Sequence, residues 1–257
     1  MSARDSTHFA GWFAAGMLVF VAGAVLVDKA VLAQETGLSE EMKSFLESPR
    51  QQTTGAGAHK QKDPHASLSP DKLVQVALQH LDEGRAPLAL ETLNEALGKF
   101  PNDTMLLSVR SSLFLQNQQT SLALADLNRA VELNPHDPIL LTNRAQAYRQ
   151  FGRNDDARRD LDSAIELDQK FVAAYFNRGS LHFEAEKYDL ALVDFNRCVE
   201  LEPEVPAAYF NRASTHEALG DRNSAVKDLQ HFLTLSPEAS WAQVAEDLLK
   251  QWQSENS

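Results

Sequence analysis

Residues 173–203 read AAYFNRGSLHFEAEKYDLALVDFNRCVELEP, with apolar positions three and four apart in two runs. That spacing predicts two amphipathic helices joined by a short polar turn. Nearly the same text returns 34 residues later as AAYFNRASTHEALGDRNSAVKDLQHFLTLSP. The period extends over five consecutive blocks, 70–103, 104–137, 138–171, 172–205 and 206–239, without insertion or deletion. One helix pair cannot bury its own apolar faces, so such blocks must stack on one another.

The constant places explain how they stack. The eighth holds Ala77, Ser111, Ala145, Gly179 and Ala213, and the twentieth holds Ala89, Ala123, Ala157, Ala191 and Ala225. Small residues there let two helices approach. Leu93, Leu127, Leu161, Phe195 and Leu229 at the twenty-fourth fill the space between them. Pro101, Pro135, Pro203 and Pro237 close four blocks, where a proline stops the helix; Gln169 stands in its place in the third. In these residues the chain resembles the tetratricopeptide repeat (TPR) family, over roughly 70–239. The resemblance implies an all-α, right-handed superhelix of five helix–turn–helix repeats whose first helices line a concave groove.

The flanks read differently. Residues 9–27, FAGWFAAGMLVFVAGAVLV, form 19 positions without a charge. As a helix they would span about 28 Å, close to the hydrocarbon thickness of a bilayer. Residues 1–33 therefore read as a single-pass signal anchor, or as a signal peptide cleaved after Val31-Leu32-Ala33. The length of the apolar run favours the anchor. The pattern favours the repeats on the non-cytoplasmic side, periplasmic or luminal. A cleaved, secreted or periplasmic form and a cytosol-facing domain are the alternatives. Residues 34–69 read as a flexible tether rich in Pro, Gly, Gln, Ser and Thr, with a short helix expected over 38–48. Residues 240–257 read as an amphipathic capping helix with Trp241, Val244, Ala245, Leu248 and Trp252 on one face, followed by a tail.

Composition narrows the function. The net charge of −12 argues against nucleic acid, whose phosphates need a basic surface. The single cysteine, Cys198, excludes an intrachain disulfide framework and reads as a small core residue. No nucleophile elbow, Gly-Lys phosphate loop or His-Glu-x-x-His motif occurs. His80, His182 and His216 share the eleventh place, but no cysteine or dedicated carboxylate pair completes a metal set, so they read as packing residues. No cofactor, no metal and no enzymatic activity are expected.

Two recurring sets remain. Arg110, Arg144, Arg178 and Arg212 at the seventh place accompany Asp126, Asp160, Asp194 and Asp228 at the twenty-third. Block one has Val76 and Thr92 there, so both members vanish together, which predicts a bidentate ion pair within each repeat. Asn143, Asn177 and Asn211 share the sixth place, on the helix that the resemblance puts in the groove. With Gln146, Arg149, Phe176, Ser180, Glu184, Phe210, Ser214 and Glu217 they mix amides, hydroxyls and aromatic anchors, a surface suited to an extended peptide or a partner protein. Thr142 also looks inward. The TPR proteins that clamp chaperone C-termini place lysine at the second and fifth places, where this chain has Ile139, Ala173, Ala207, Thr142, Phe176 and Phe210, and arginine at a sixth place, where it has asparagine. A carboxylate terminus would lack its counter-charges here. The expectation is a membrane-tethered scaffold that binds a protein in its groove. The alternative is a self-associating subunit of a membrane complex.

Overall fold

Short turns and well-placed caps cut the repeats into helices of nearly constant length. In the computed structural model the pairs are α1 (Pro70–Asp82) with α2 (Ala86–Lys99), α3 (Thr104–Gln116) with α4 (Thr120–Leu133), and α5 (Pro138–Gln150) with α6 (Asn154–Leu167). They continue as α7 (Val172–Glu184) with α8 (Tyr188–Leu201), then α9 (Pro206–Ala218) with α10 (Arg222–Thr234), and α11 (Ala239–Ser254) follows alone. The structure describes residues 68–235 and 239–254, so the apolar run 9–27, the tether up to residue 67, the expected helix 38–48 and the tail 255–257 lie outside the described residues. Among the described residues there is no strand, and no helix is long and apolar enough to cross a membrane.

Prolines open α1, α5 and α9, where the missing N–H would have had no partner. Asp103 and Asp137 cap α3 and α5, accepting from Leu106 N at 2.9 Å and Ile139 N at 2.9 Å. Each turn between paired helices passes through one left-handed residue: Gly84, Gln118, Gly152, Glu186 and Gly220, with φ from 57° to 82°. Glycine occupies three of these five and carries no penalty there. A Cβ added at Gly84, Gly152 or Gly220 meets nothing within 4 Å, so the constraint is the backbone itself. Replacing Glu186 by Gly is therefore expected to raise stability by about 0.5–1 kcal/mol, the relief of the left-handed strain less the unfolded-state entropy of glycine. A chemical-denaturation midpoint that falls instead would refute it.

Each first helix packs on its own second helix and, from α3 onward, on the second helix of the block before. First helices also touch one another in the series α1, α3, α5, α7, α9, so they stand side by side and line one face. The small residues of the eighth and twentieth places are buried, as are Leu93, Leu127, Leu161, Phe195 and Leu229 between them. Cys198 is buried too, and burial pushes its thiol pKa up, which leaves it an inert core group. α11 closes the far end on α10: Ala245 and Trp252 are buried with Tyr209, Phe210 and Phe232, and Trp241, Val244 and Leu248 pack against them.

The arginine–aspartate pairs form in every repeat that carries them. Arg110 donates through Nε and Nη2 to Asp126 at 2.8 and 2.7 Å, and Arg144, Arg178 and Arg212 repeat the fork with Asp160, Asp194 and Asp228. Hydrogen bonding to these carboxylates raises the pKa of Arg144, Arg178 and Arg212 against the opposing effect of burial. The structure adds a third bond. Each Nη1 reaches the twenty-fifth place of the preceding block: Asn94 at 2.9 Å, Asn128 at 3.4 Å, Asp162 at 2.8 Å and Asn196 at 3.1 Å. One guanidinium thus ties three helices. This explains block one. Among the described residues no second helix precedes α1 to supply the third acceptor, and buried Val76 with Thr92, whose hydroxyl donates to Leu88 O at 2.9 Å, needs none.

Candidate functional site

The line of first helices sets out the groove residues, and the structure divides them. Phe176 and Phe210, expected as aromatic anchors for a partner, turn their rings into the core. Phe176 meets Phe195 edge-on at 5.9 Å between centroids, and Phe210 lies against Phe232 at 5.3 Å and Trp241 at 5.4 Å. The large rings at the twenty-fourth and twenty-seventh places of the last two blocks draw them in. The hydroxyls of Ser180 and Ser214 are buried and donate to Phe176 O and Phe210 O one turn back. Asn211 is buried, and Glu217 accepts from both Nε and Nη2 of Arg222, across the turn between α9 and α10.

The polar side chains that remain cluster on α5 and α7. Asn143 donates through Nδ2 to Ser108 Oγ on α3 at 2.9 Å. Gln146 and Arg149 line a shallow cleft with Ala145 on α5, and Asn177 and Leu181 close it from α7. Glu184 lies at the C-terminal end of α7. Desolvation lowers the pKa of Arg149 and raises that of Glu184, and the charge of each opposes the other's shift, so the two charges act on one another from adjacent helices. The charge of Arg149 in the cleft is thus partly offset by Glu184, in a domain that is acidic as a whole.

Asn177 is 7% exposed and Thr142 6%. Asn177 Nδ2 donates to Ala173 O at 2.8 Å, while Asn177 Oδ1 and Thr142 Oγ1 are buried without a hydrogen-bond partner. The sequence placed Thr142 on the inner face but offered no sign that its hydroxyl would be unpaired. The partner Ser108 and the twenty-fifth-place amides were also missed, although a polar residue recurs at that place in every block.

The histidines of the eleventh place stand apart from this cleft. Desolvation lowers the pKa of His182, as expected of a neutral packing residue. Among the described residues no group of three or more His, Cys, Asp or Glu is placed to hold a metal ion.

Models of the tetratricopeptide repeat match residues 77–138, 142–199 and 178–250, together more than half of the chain. The chain belongs to the tetratricopeptide repeat family. Its TPR array resembles TTC0263, a thermophilic TPR protein of Thermus thermophilus, at 18% identity and a TM-score of 0.62, covering 71% of this chain and 100% of that one. YrrB, described as a TPR protein with an unusual peptide-binding site, matches at 18% identity and a TM-score of 0.51, over 68% of this chain and 90% of its own. MamA of Desulfovibrio magneticus RS-1 matches at 15% identity and a TM-score of 0.55, over 65% and 94%. At these identities the likeness is one of fold. No curated protein matches the chain. TPR arrays are in general non-catalytic scaffolds for protein–protein contact, and an enzymatic reading is not favoured here.

Proposed function

We propose that this chain is a membrane-tethered adaptor that holds an extended peptide, or an extended segment of a partner protein, across α5 and α7. The observation that carries the reading is the side-by-side packing of the first helices, which brings Gln146, Arg149 and Asn177 into one cleft, with Asn143 bonded to Ser108 along the same line of helices and the charge of Glu184 acting on Arg149. Amides and hydroxyls on a rigid scaffold suit a main chain, which offers one donor and one acceptor per residue. The clamp cations of chaperone-binding arrays are replaced by Thr142 and Phe176, so a carboxylate terminus is a poor ligand. The likeness to YrrB supports the reading that such an array can hold a peptide.

The tether belongs to the same proposal. The uncharged run 9–27 would anchor the chain, with the repeats on the non-cytoplasmic side. The tether would hold the groove close to the bilayer and raise the local concentration of a partner there. A cleaved leader would instead release a soluble adaptor.

The test uses the full chain in detergent and a library of random 12-residue peptides displayed with both ends embedded. Selected peptides should bind the wild type, and Arg149→Ala should weaken them about fivefold. A library that yields no binder overturns the groove reading. Protease added to sealed vesicles tests the tether: digestion of the repeats from the cytosolic side would reverse the proposed orientation, and recovery of a chain beginning at Gln34 would remove the anchor.

A second reading, a subunit that packs into a larger assembly, draws on one observation. Leu122, Phe151, Leu190 and Leu219, one per repeat from block two onward, stand 39–53% exposed where paired helices turn. A mass that rises with concentration for the full chain would favour it.

A further inference from the structure

Two stretches of the array are nearly the same text. Residues 122–135 along α4 read LALADLNRAVELNP, and residues 190–203 along α8, two repeats later, read LALVDFNRCVELEP. They differ only where Ala125, Leu127, Ala130 and Asn134 become Val193, Phe195, Cys198 and Glu202. Core packing explains the buried positions, such as Ala123 with Ala191 and Asp126 with Asp194. It does not explain the outward ones. At the nineteenth place Leu122 and Leu190 are both exposed, and at the twenty-second Ala125 is exposed and Val193 is 63% exposed. Residues three apart share a helix face, so each helix turns an apolar pair outward. One turn further on, Arg129 and Arg197 are held by Glu132 and Glu200 of their own helices, at 3.3 and 3.1 Å. The helix of the block between, α6, carries Asp156 and Arg159 at the same two places. Asp156 accepts there from Arg153 Nε at 2.6 Å and from Arg159. Three successive second helices thus present an apolar, a charged and an apolar pair.

From this, resting on the assembly reading above and independent of the groove, we infer that the outward faces of α4, α6 and α8 form the contact surface of an isologous dimer, with a second copy of this chain as the occupant. The partner must be apolar, charged and apolar in the same order, and a second copy supplies that order. A face-to-face pair allows two directions for the two-fold axis. An axis parallel to the helices lays α6 on its own copy in the same direction, so Asp156 meets Asp156 of the second copy and Arg159 meets Arg159. An axis along the row of blocks, passing between the nineteenth and twenty-second places, reverses each helix against its copy. Asp156 then meets Arg159 of the second copy, Leu122 meets Ala125, and Leu190 meets Val193. Like charges exclude the first arrangement and opposite charges fix the register of the second, while the apolar pairs on either side supply the burial. The first helices take no part, so a dimer of this kind leaves the groove open.

The test follows the mass of the full chain in detergent against protein concentration, by sedimentation equilibrium. Wild type is expected to pass from monomer to dimer. Leu190→Asp, Arg159→Asp and Asp156→Arg should each raise the dimer dissociation constant by about tenfold or more. A mixture of Asp156→Arg with Arg159→Asp separates register from simple damage. Each of these variants sets like charges against its own copy and opposite charges against the other, so the mixed dimer should form within about threefold of the wild-type constant. Helix content and melting of each variant show that it is folded. A wild type that stays monomeric at every concentration overturns the assembly reading and the dimer together. A mass that rises equally in wild type, Leu190→Asp and Arg159→Asp puts self-association on another surface and overturns this inference alone. Charge variants that are weak singly and do not recover on mixing overturn the reversed register.

Discussion

Replacing Phe195 by Ala is expected to lower the stability of the array by about 4 kcal/mol, as for other large rings removed from tight cores. Phe195 is fully buried between α7 and α8, where the other blocks carry leucine. Its size is accommodated by Gly179: a Cβ there would stand 3.0 Å from Phe195 Cε1 and 3.1 Å from Asp194 Cβ. Gly179→Ala alone should therefore destabilise by about 1–3 kcal/mol through overpacking. The pair Gly179→Ala with Phe195→Leu recreates the Ala–Leu combination of Ala145 with Leu161 and Ala213 with Leu229. It should recover to within about 1 kcal/mol of wild type, the usual cost of a volume-conserving exchange. Denaturation of Gly179→Ala, Phe195→Leu and the double variant checks this; simple addition of the two single effects in the double variant would show that the residues do not compensate.

Asp194→Ala is expected to cost about 3 kcal/mol, near the lower end for breaking a buried ion pair. Asp194 is 1% exposed and takes two hydrogen bonds from Arg178. Its removal leaves the guanidinium with the partly exposed Asp162 and the ring of Tyr175. Asp162→Ala removes the link to the preceding block while leaving the fork intact, and should cost about 1 kcal/mol. The contrast is the test. Equal losses would mean that the inter-repeat bond matters as much as the buried fork, and a loss below about 0.5 kcal/mol for Asp194→Ala would mean that desolvation cancels the pair.

The helical architecture was legible because the repeat states it five times. Small residues at the eighth and twentieth places and a large one at the twenty-fourth describe a helix contact without reference to anything beyond one block. The ion pair was legible for the same reason, since Val76 and Thr92 replace both members at once. The groove was less so. Asn143, Asn177 and Asn211 share a place and look equivalent in sequence, yet one bonds Ser108, one turns to its own helix and leaves an oxygen unpaired, and the third is buried at the end closed by α11. Phe176 and Phe210 read as anchors because aromatic residues on an inner face suit a partner. They fill the core because Phe195, Phe232 and Trp241 offer them a larger contact than a groove can.

The sequence by itself determined the period, the helix pairs, the small-residue contacts and the membership of the arginine–aspartate pairs. These depend on residues within a single 34-residue unit, whose geometry is local and repeated. Only the tertiary structure decided which groove atoms are left unpaired, which rings are buried, and where each arginine places its third hydrogen bond. The third hydrogen bonds depend on the neighbouring block, and a contact between two blocks is set by the side chains on both; the rings of Phe176 and Phe210 instead depend on how the two helices of their own blocks pack against Phe195 and Phe232.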